Sequence, residues 1–258
     1  MKVVSLNVNG IRAAAKKGFY QWLNDNQPDF VCLQEVRAET TQLVSKEFYP
    51  ENYHCYYVSA EKKGYSGVAI YTKKKPNSVI NEIGYPLSNC EGRFIQANYD
   101  ECALVSLYLP SGTSGDLRQQ EKYGFMDFLY PWMQNLQKEF KYVILCGDWN
   151  IAHTKKDIRN WRGNQKNSGF LPEERAWLDQ VFYESHWVDA FRMVVQEDHH
   201  YTWWSNRGKA WANNVGWRID YQIVSPSLKE KIQSAEIYKA ERFSDHAPLI
   251  IDYDLKIK

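Results

Sequence analysis

Short apolar runs of strand length recur along the chain, and between them lie longer stretches whose apolar residues fall at helical spacing. Val, Ile, Leu and aromatic runs bounded by Gly, Pro, Asn or Asp predict strands at residues 3–8, 30–36, 67–72, 94–99, 103–109, 142–146, 218–224 and 249–253. Apolar residues three or four apart predict helices at 19–24, 41–48 and 117–140, the last carrying Phe125, Phe128, Leu129, Trp132 and Leu136. A fourth helix opens at Pro172-Glu173-Glu174 and continues through Trp177, Leu178 and Val181, because proline suits a first turn and acids suit the positive helix end. Runs 94–99 and 103–109 are close enough to form a hairpin, so the sheet is mixed rather than purely parallel. An α/β protein with two packed mixed sheets and helices outside fits this pattern. No repeat, low-complexity tract or Pro/Gly/Ser linker divides the chain, so residues 1–258 read as one domain.

Composition narrows the classes. The chain has 32 Lys+Arg against 31 Asp+Glu, a net +1, which does not indicate a partner held by a broad basic face. Ten Trp, 18 Tyr and 11 Phe make it 15 % aromatic, more rings than a core alone needs. Five cysteines, odd in number and never in a Cys-x-x-Cys pair, support neither a disulfide framework nor a zinc ribbon. Polar residues interrupt the apolar N-terminus within a few positions, and no apolar run approaches the ~20 residues that span a bilayer. A soluble cytoplasmic protein is expected.

The candidate chemistry follows the strands. Residues 3–6 lead into Asn7-Val8-Asn9-Gly10, residues 30–33 into Gln34-Glu35, and residues 143–146 into Gly147-Asp148-Trp149-Asn150. A fourth run holds Asp220, and Ser244-Asp245-His246 precedes a fifth. Strand ends of a layered α/β protein converge on one edge, where ligand sites form. Carboxylates and carboxamides with one imidazole and no thiolate suit Mg²⁺ or Mn²⁺ better than zinc. These groups exceed what one ion needs, and the surplus makes sense if some orient a water and others hold a phosphate. Asp220, flanked by Ile219, Tyr221 and Ile223, reads as a buried acid that needs a partner, and a histidine is the natural one.

The words Asn7-Val8-Asn9-Gly10-Ile11-Arg12, Leu33-Gln34-Glu35, Gly64-Tyr65-Ser66-Gly67, Tyr108-Leu109-Pro110, Gly147-Asp148-Trp149-Asn150, Asn167-Ser168-Gly169-Phe170, Asn214-Val215-Gly216-Trp217-Arg218-Ile219-Asp220 and Ser244-Asp245-His246 stand in this order across nearly the whole chain. In that order they resemble the exonuclease III family of apurinic/apyrimidinic (AP) endonucleases. The resemblance implies a four-layered α/β sandwich that cuts double-stranded DNA 5′ to an abasic site with Mg²⁺, leaving a 3′-hydroxyl and a 5′-deoxyribose phosphate. Trimming of 3′ ends, as a 3′-phosphodiesterase, 3′-phosphatase or 3′→5′ exonuclease, would be a side activity. It implies Glu35 as main metal ligand, helped by Asn7, Asn9 and Asp245. Asp148 and Asn150 would place the attacking water and also belong to the metal-binding set. His246, oriented by Asp220, would contact the scissile phosphate, and Tyr108 would donate to a phosphate oxygen or steady the nucleophile. Trp203, Trp217, Arg218 and Ile219 would wall a pocket for the extruded base-free sugar, while Tyr65, Arg93, Ser111, Asn164, Asn167 and Lys62 would touch backbone phosphates.

The resemblance is imperfect at two positions. Ser111 stands where the family often has Asn, and Asn9 where some relatives carry Asp. The resemblance further implies a monomer, acting on cytoplasmic, nucleoid-associated DNA and not on membranes. An inositol or lipid phosphate phosphodiesterase of the wider superfamily shares the Asn, Glu, Asp-x-Asn and Asp-His pieces, but residues 167–170 and 214–218 match the DNA-repair branch. A non-catalytic damage-binding protein predicts the loss of a catalytic group, and all are present.

Overall fold

The computed structural model describes residues 1–257; Lys258, the end of the expected domain, lies outside them. Two six-stranded sheets pack face to face. The first runs Ile232–Ile237, Leu249–Tyr253, Lys2–Asn7, Phe30–Gln34, Val68–Thr72, His54–Val58. The second runs Ser78–Ile80, Phe94–Asn98, Cys102–Tyr108, Tyr142–Asp148, Asp220–Val224, Val188–Asp189. Only the central pair of each sheet is parallel; the other pairings are antiparallel, including the expected 94–109 hairpin.

Side chains alternate between faces along a strand, so every second residue enters the space between the sheets. Val3, Phe30, Cys32 and Ile70 from one sheet and Leu104, Ile144, Cys146 and Val224 from the other share one buried cluster. The intervening residues face helices. Val4, Leu6 and Leu33 lie with Phe19 and Leu23 of helix Phe19–Asn26, and Val105, Val143 and Leu145 with Phe125 and Leu129 of helix Asp116–Glu139 and Leu178 of helix Pro172–Asp179. Burial on both faces explains why the central strands read as unbroken apolar runs.

Toward one edge the inward rows turn polar: Val3 gives way to Ser5 and Asn7, Cys32 to Gln34, Leu104 to Ser106 and Tyr108, Cys146 to Asp148, and Val224 to Gln222 and Asp220, nearly all of them buried. Hydrogen bonds between the sheets make this burial tolerable. Gln34 Nε2 donates to Ser106 Oγ (3.0 Å), and Gln222 Nε2 donates to Val3 O (3.0 Å) and Leu249 O (3.1 Å).

Three expectations change. Residues 41–48 form no helix but two 3₁₀ turns, Thr40–Gln42 and Lys46–Phe48, because only Leu43 and Phe48 are buried, and Ser45 is extended. The strand expected from residue 218 begins at Asp220, since Arg218 is drawn into an ion-pair cluster described below. Edge strands His54–Val58 and Ile232–Ile237 carry too little buried surface for the pattern to reveal them. All five cysteines are free thiols, and among the described residues no helix is long and apolar enough to cross a membrane.

Candidate active site

The two central parallel pairs end on the same edge, and the antiparallel strands Asp220–Val224 and Leu249–Tyr253 begin there, with Asp245 and His246 just ahead of the latter. A cleft of ≈ 550 Å³ opens at this edge, lined by Asn9, Glu35, Tyr108, Asp148, Asn150, Asp245 and His246 among others. The turns that present these groups are sharp: Asn9 (φ 44°), Glu35 (φ 51°) and Asn150 (φ 51°) all take the left-handed conformation. Non-glycine residues there store on the order of 1–3 kcal/mol each, and such strain concentrates at functional sites. Backbone bonds clasp the first two turns together, Val8 N to Gln34 O (2.9 Å) and Gly10 N to Glu35 O (2.8 Å).

Asn7, fully buried, donates through Nδ2 to both Glu35 Oε1 and Asp148 Oδ2 at 2.8 Å, bridging the sheets; its Oδ1 accepts from Asn9 N. Tyr108 OH donates to the same Glu35 oxygen (2.9 Å). Asn9 Nδ2 and Trp203 Nε1 both donate to Asp245 (2.8 and 3.1 Å). Asn150 N donates to Asp148 Oδ1 (3.0 Å), and its Nδ2 to Leu109 O (2.8 Å). His246 Nδ1 sits 2.8 Å from Asp220 Oδ2, and its Nε2 lies 3.9 Å from Asp148 Oδ2. The expected Asp-to-His pair is therefore formed in the interior.

The electrostatics follow from this crowding. Burial and the Asp220 charge push Asp148 up to about 7, against the pull of His246 and Asn7. Burial alone would lower His246, but Asp220, then Asp148 and Asp245, raise it to about 10, so its imidazolium persists at neutral pH. Burial would likewise raise Asp245, yet His246, Asn9 and Trp203 hold it below its ordinary value. Four carboxylates (Glu35, Asp148, Asp220, Asp245) outnumber the cationic side chains around the cleft, His246, Arg207 and Arg37, the last of which pairs with Glu35. Asp220 Oδ1 is buried without a partner. An all-oxygen set short of positive charge fits a divalent cation. Asp148, Asp220 and His246 bring ligand atoms within 4.8 Å of one another, but with His246 bonded to Asp220 and suited to phosphate, a divalent cation would find its oxygen ligands at Glu35, Asn9 and Asp245.

Trp203 and Trp217, half-buried and edge to face at 6.2 Å, wall the cleft with Ile219 as expected. Ser111 also reaches it. Arg218 does not, which corrects its assignment to the pocket: it is wholly buried, bonded through Nε to Asp157 (2.7 Å) and through Nη2 to Asp189 (2.7 Å). Arg93 is corrected too. It is 1 % exposed and lies on the Tyr108 ring (4.4 Å to the centroid), donating to Tyr108 O (3.0 Å) and Tyr65 OH (3.2 Å), so it braces Tyr108 instead of facing solvent. Asn164 and Asn167 are bonded to each other (2.9 Å) beyond the cleft lining, and Lys62 lies over the Tyr65 ring. Arg37, Thr113, Ser168, Ser205 and Arg207 line the cleft without having been singled out; only Arg37, two positions after Glu35, carried a local signal.

Comparison with known proteins places this geometry. The model of the endonuclease/exonuclease/phosphatase family matches residues 4–246. An exodeoxyribonuclease of Bacillus subtilis is 39 % identical over 251 residues, covering 96 % of this chain and 98 % of that protein. A DNA-(apurinic or apyrimidinic site) endonuclease of Dictyostelium discoideum is 35 % identical over 260 residues, covering 99 % of this chain and 71 % of its own. The structure of an AP endonuclease from Archaeoglobus fulgidus superposes with a TM-score of 0.89 at 26 % identity, covering 99 % of this chain and all of that one.

Proposed function

The chain belongs to the endonuclease/exonuclease/phosphatase family, and from that premise we propose how it works as a DNA-repair AP endonuclease: it hydrolyses the phosphodiester 5′ to an abasic site, with Mg²⁺ as its ion. The same centre would also act at 3′ ends, as a 3′-phosphodiesterase, 3′-phosphatase or 3′→5′ exonuclease. The observation that carries the reading is the His246–Asp220 pair beside Asp148 and Glu35, at the foot of a cleft walled by Trp203 and Trp217.

Each side chain has a defined task. Asp148, with its proton affinity raised, takes a proton from water held against it and Asn150 as that oxygen bonds to phosphorus. His246, kept charged by Asp220, donates to a nonbridging phosphate oxygen, and Tyr108 OH lies across from it on Glu35. The bond from phosphorus to the upstream 3′ oxygen then breaks, its electron pair goes to that oxygen, and the oxygen takes a proton from solvent water, leaving a 3′-hydroxyl and a 5′-deoxyribose phosphate. Glu35 and Asp245, with Asn9, would hold the cation, which supplies charge neutralisation at the phosphate and the leaving oxygen. Asn7 keeps the Glu35 and Asp148 carboxylates in register from between them. The two tryptophans and Ile219 suit a base-free sugar, and extrusion is least costly at a damaged site, so selectivity needs no base reading. On this reading the protein acts as a monomer on cytoplasmic, nucleoid-associated DNA.

Purified protein with Mg²⁺ should nick a duplex bearing one tetrahydrofuran abasic analogue, leave the unmodified duplex intact, and stop on chelation. Products should carry a 3′-hydroxyl that a polymerase extends. Hydrolysis of an inositol phosphate with the abasic duplex untouched would overturn the proposal.

A further inference from the structure

Behind the Asp148–Asn150 turn lies an ion pair that no part of the chemistry above uses. Lys122, on helix Asp116–Glu139, and Glu174, on helix Pro172–Asp179, are both completely buried and joined at 2.5 Å. Neither lines the cleft. Replacing such a pair by apolar residues of similar volume is often neutral for stability, so its presence calls for another explanation. Its other contacts supply one. Lys122 Nζ donates to the main-chain oxygen of Asn150 (2.8 Å). Glu174 Oε2 accepts from Gly169 N (2.6 Å) and Leu171 N (3.0 Å), and Oε1 accepts from Gln119 Nε2 (3.0 Å) and Ser168 Oγ (3.3 Å). Gly169 in turn receives Ala152 N on its carbonyl (2.8 Å) and lies so close that an added Cβ would stand 3.0 Å from the Trp217 ring and 3.1 Å from Asn150 O.

The strained Asn150 turn and the Gly169 loop under Trp217 thus share one buried knot, tied by two helices. We propose that Lys122 and Glu174 are positioning residues that hold the Asn150 turn in register with the Trp217 wall, so that the water site and the sugar pocket keep a fixed separation. Lys122 bonds Asn150 through its backbone, and Glu174 bonds Ser168 and Gly169 of the cleft wall, so the pair removes no DNA contact of its own and acts on turnover through the spacing between the two. Effects of this kind are large because misplacing reacting groups by about 1 Å can lower rates about 10²-fold.

The inference rests on the role given to Asn150, and the test separates the two. Lys122→Met/Glu174→Gln keeps volume while removing both charges together. In the folded double variant kcat on the tetrahydrofuran duplex should fall about 10- to 100-fold, with KM within about twofold of the parent. A merely structural pair would lower the melting temperature and leave kcat per folded molecule unchanged. Gln119→Leu, which leaves the pair intact and removes one bond to Glu174, should fold like the parent and lose about two- to fivefold in kcat alone; it decides the matter if the double variant does not fold. Parent-like kcat in either folded variant overturns the inference. Asn150→Ala is the control: if it too is fully active, the reading of the site fails; if it is inactive while the knot variants turn over normally, only the positioning role fails.

Discussion

Asp148 is asked to be buried and to accept a proton, and the two demands fix its pH behaviour. Burial and the Asp220 charge raise it from 3.8 to about 7. Below that pH it holds a proton and cannot take one from water, so kcat should rise through about pH 7. The falling limb belongs to His246, whose proton leaves near 10. A kcat profile flat from pH 5 to 10 would remove both assignments. Stability runs the other way: the folded chain binds the Asp148 proton more tightly than the unfolded chain, so its contribution falls as pH climbs from about 4 to about 7. Asp148→Asn should therefore melt about 2–6 °C above the parent at pH 8 in chelator, with the gap shrinking as pH falls and closing near pH 4, while turnover with Mg²⁺ drops roughly 10²- to 10⁴-fold. A variant that loses activity without gaining stability would mean the carboxylate is not under this strain.

Elements sort the site residues into those the sequence reveals and those it hides. Asn7, Glu35, Asp148 and Asn150 stand just where an apolar strand stops, and the inward-facing rows carry the same gradient one layer deeper, as at Ser5, Ser106 and Gln222. Period two and a change from apolar to polar suffice to find them. Arg218 differs: strand alternation cannot tell whether it turns with Trp217 toward the cleft or away from it, because its partners Asp157 and Asp189 come from distant segments. Arg93 misleads for the same reason, its neighbours Tyr108 and Tyr65 being 15 and 28 positions away. The helix expected at 41–48 fails because apolar spacing without a burying neighbour is no commitment; Val44 stays 83 % exposed. The Arg218 cluster carries its own prediction. Arg218 N donates to Asp157 O (2.7 Å), and Ile158 bridges Trp217, so the cluster fastens the pocket wall from behind. Its charges hold Asp157 well below the usual carboxylate range in spite of burial. Removing one member of a buried network strands the others, so Arg218→Met should lower unfolding free energy by about 3–5 kcal/mol. Urea titration reads this directly, and a parent-like midpoint would show the cluster to be dispensable.

At the scale of the whole molecule, near-zero net charge and a nucleic-acid substrate are compatible because the charges separate by place. Four carboxylates gather at the foot of the cleft, while Arg12, Lys16 and Arg37 share a neighbouring hollow. The total of +1 averages over both. Chain topology sets the remaining property, cooperativity. The first sheet is begun by Lys2–Asn7 and completed only by Ile232–Ile237 and Leu249–Tyr253, with the whole second sheet inserted between. Met1 N reaches Tyr253 O, and Gln222 of the second sheet bonds Val3 and Leu249 of the first. Neither sheet can bury its inner face alone, since Val3, Cys32, Leu104 and Cys146 meet in one cluster. The two sheets should therefore unfold together even though the chain is longer than most two-state domains. In chelator, far-ultraviolet circular dichroism and tryptophan fluorescence should give coincident denaturation curves, and removing residues 249–257 should abolish folding instead of freeing a stable second sheet. Two separated transitions, or a folded fragment lacking that last strand, would mean that the halves are independent domains and that the active site is an interface between them.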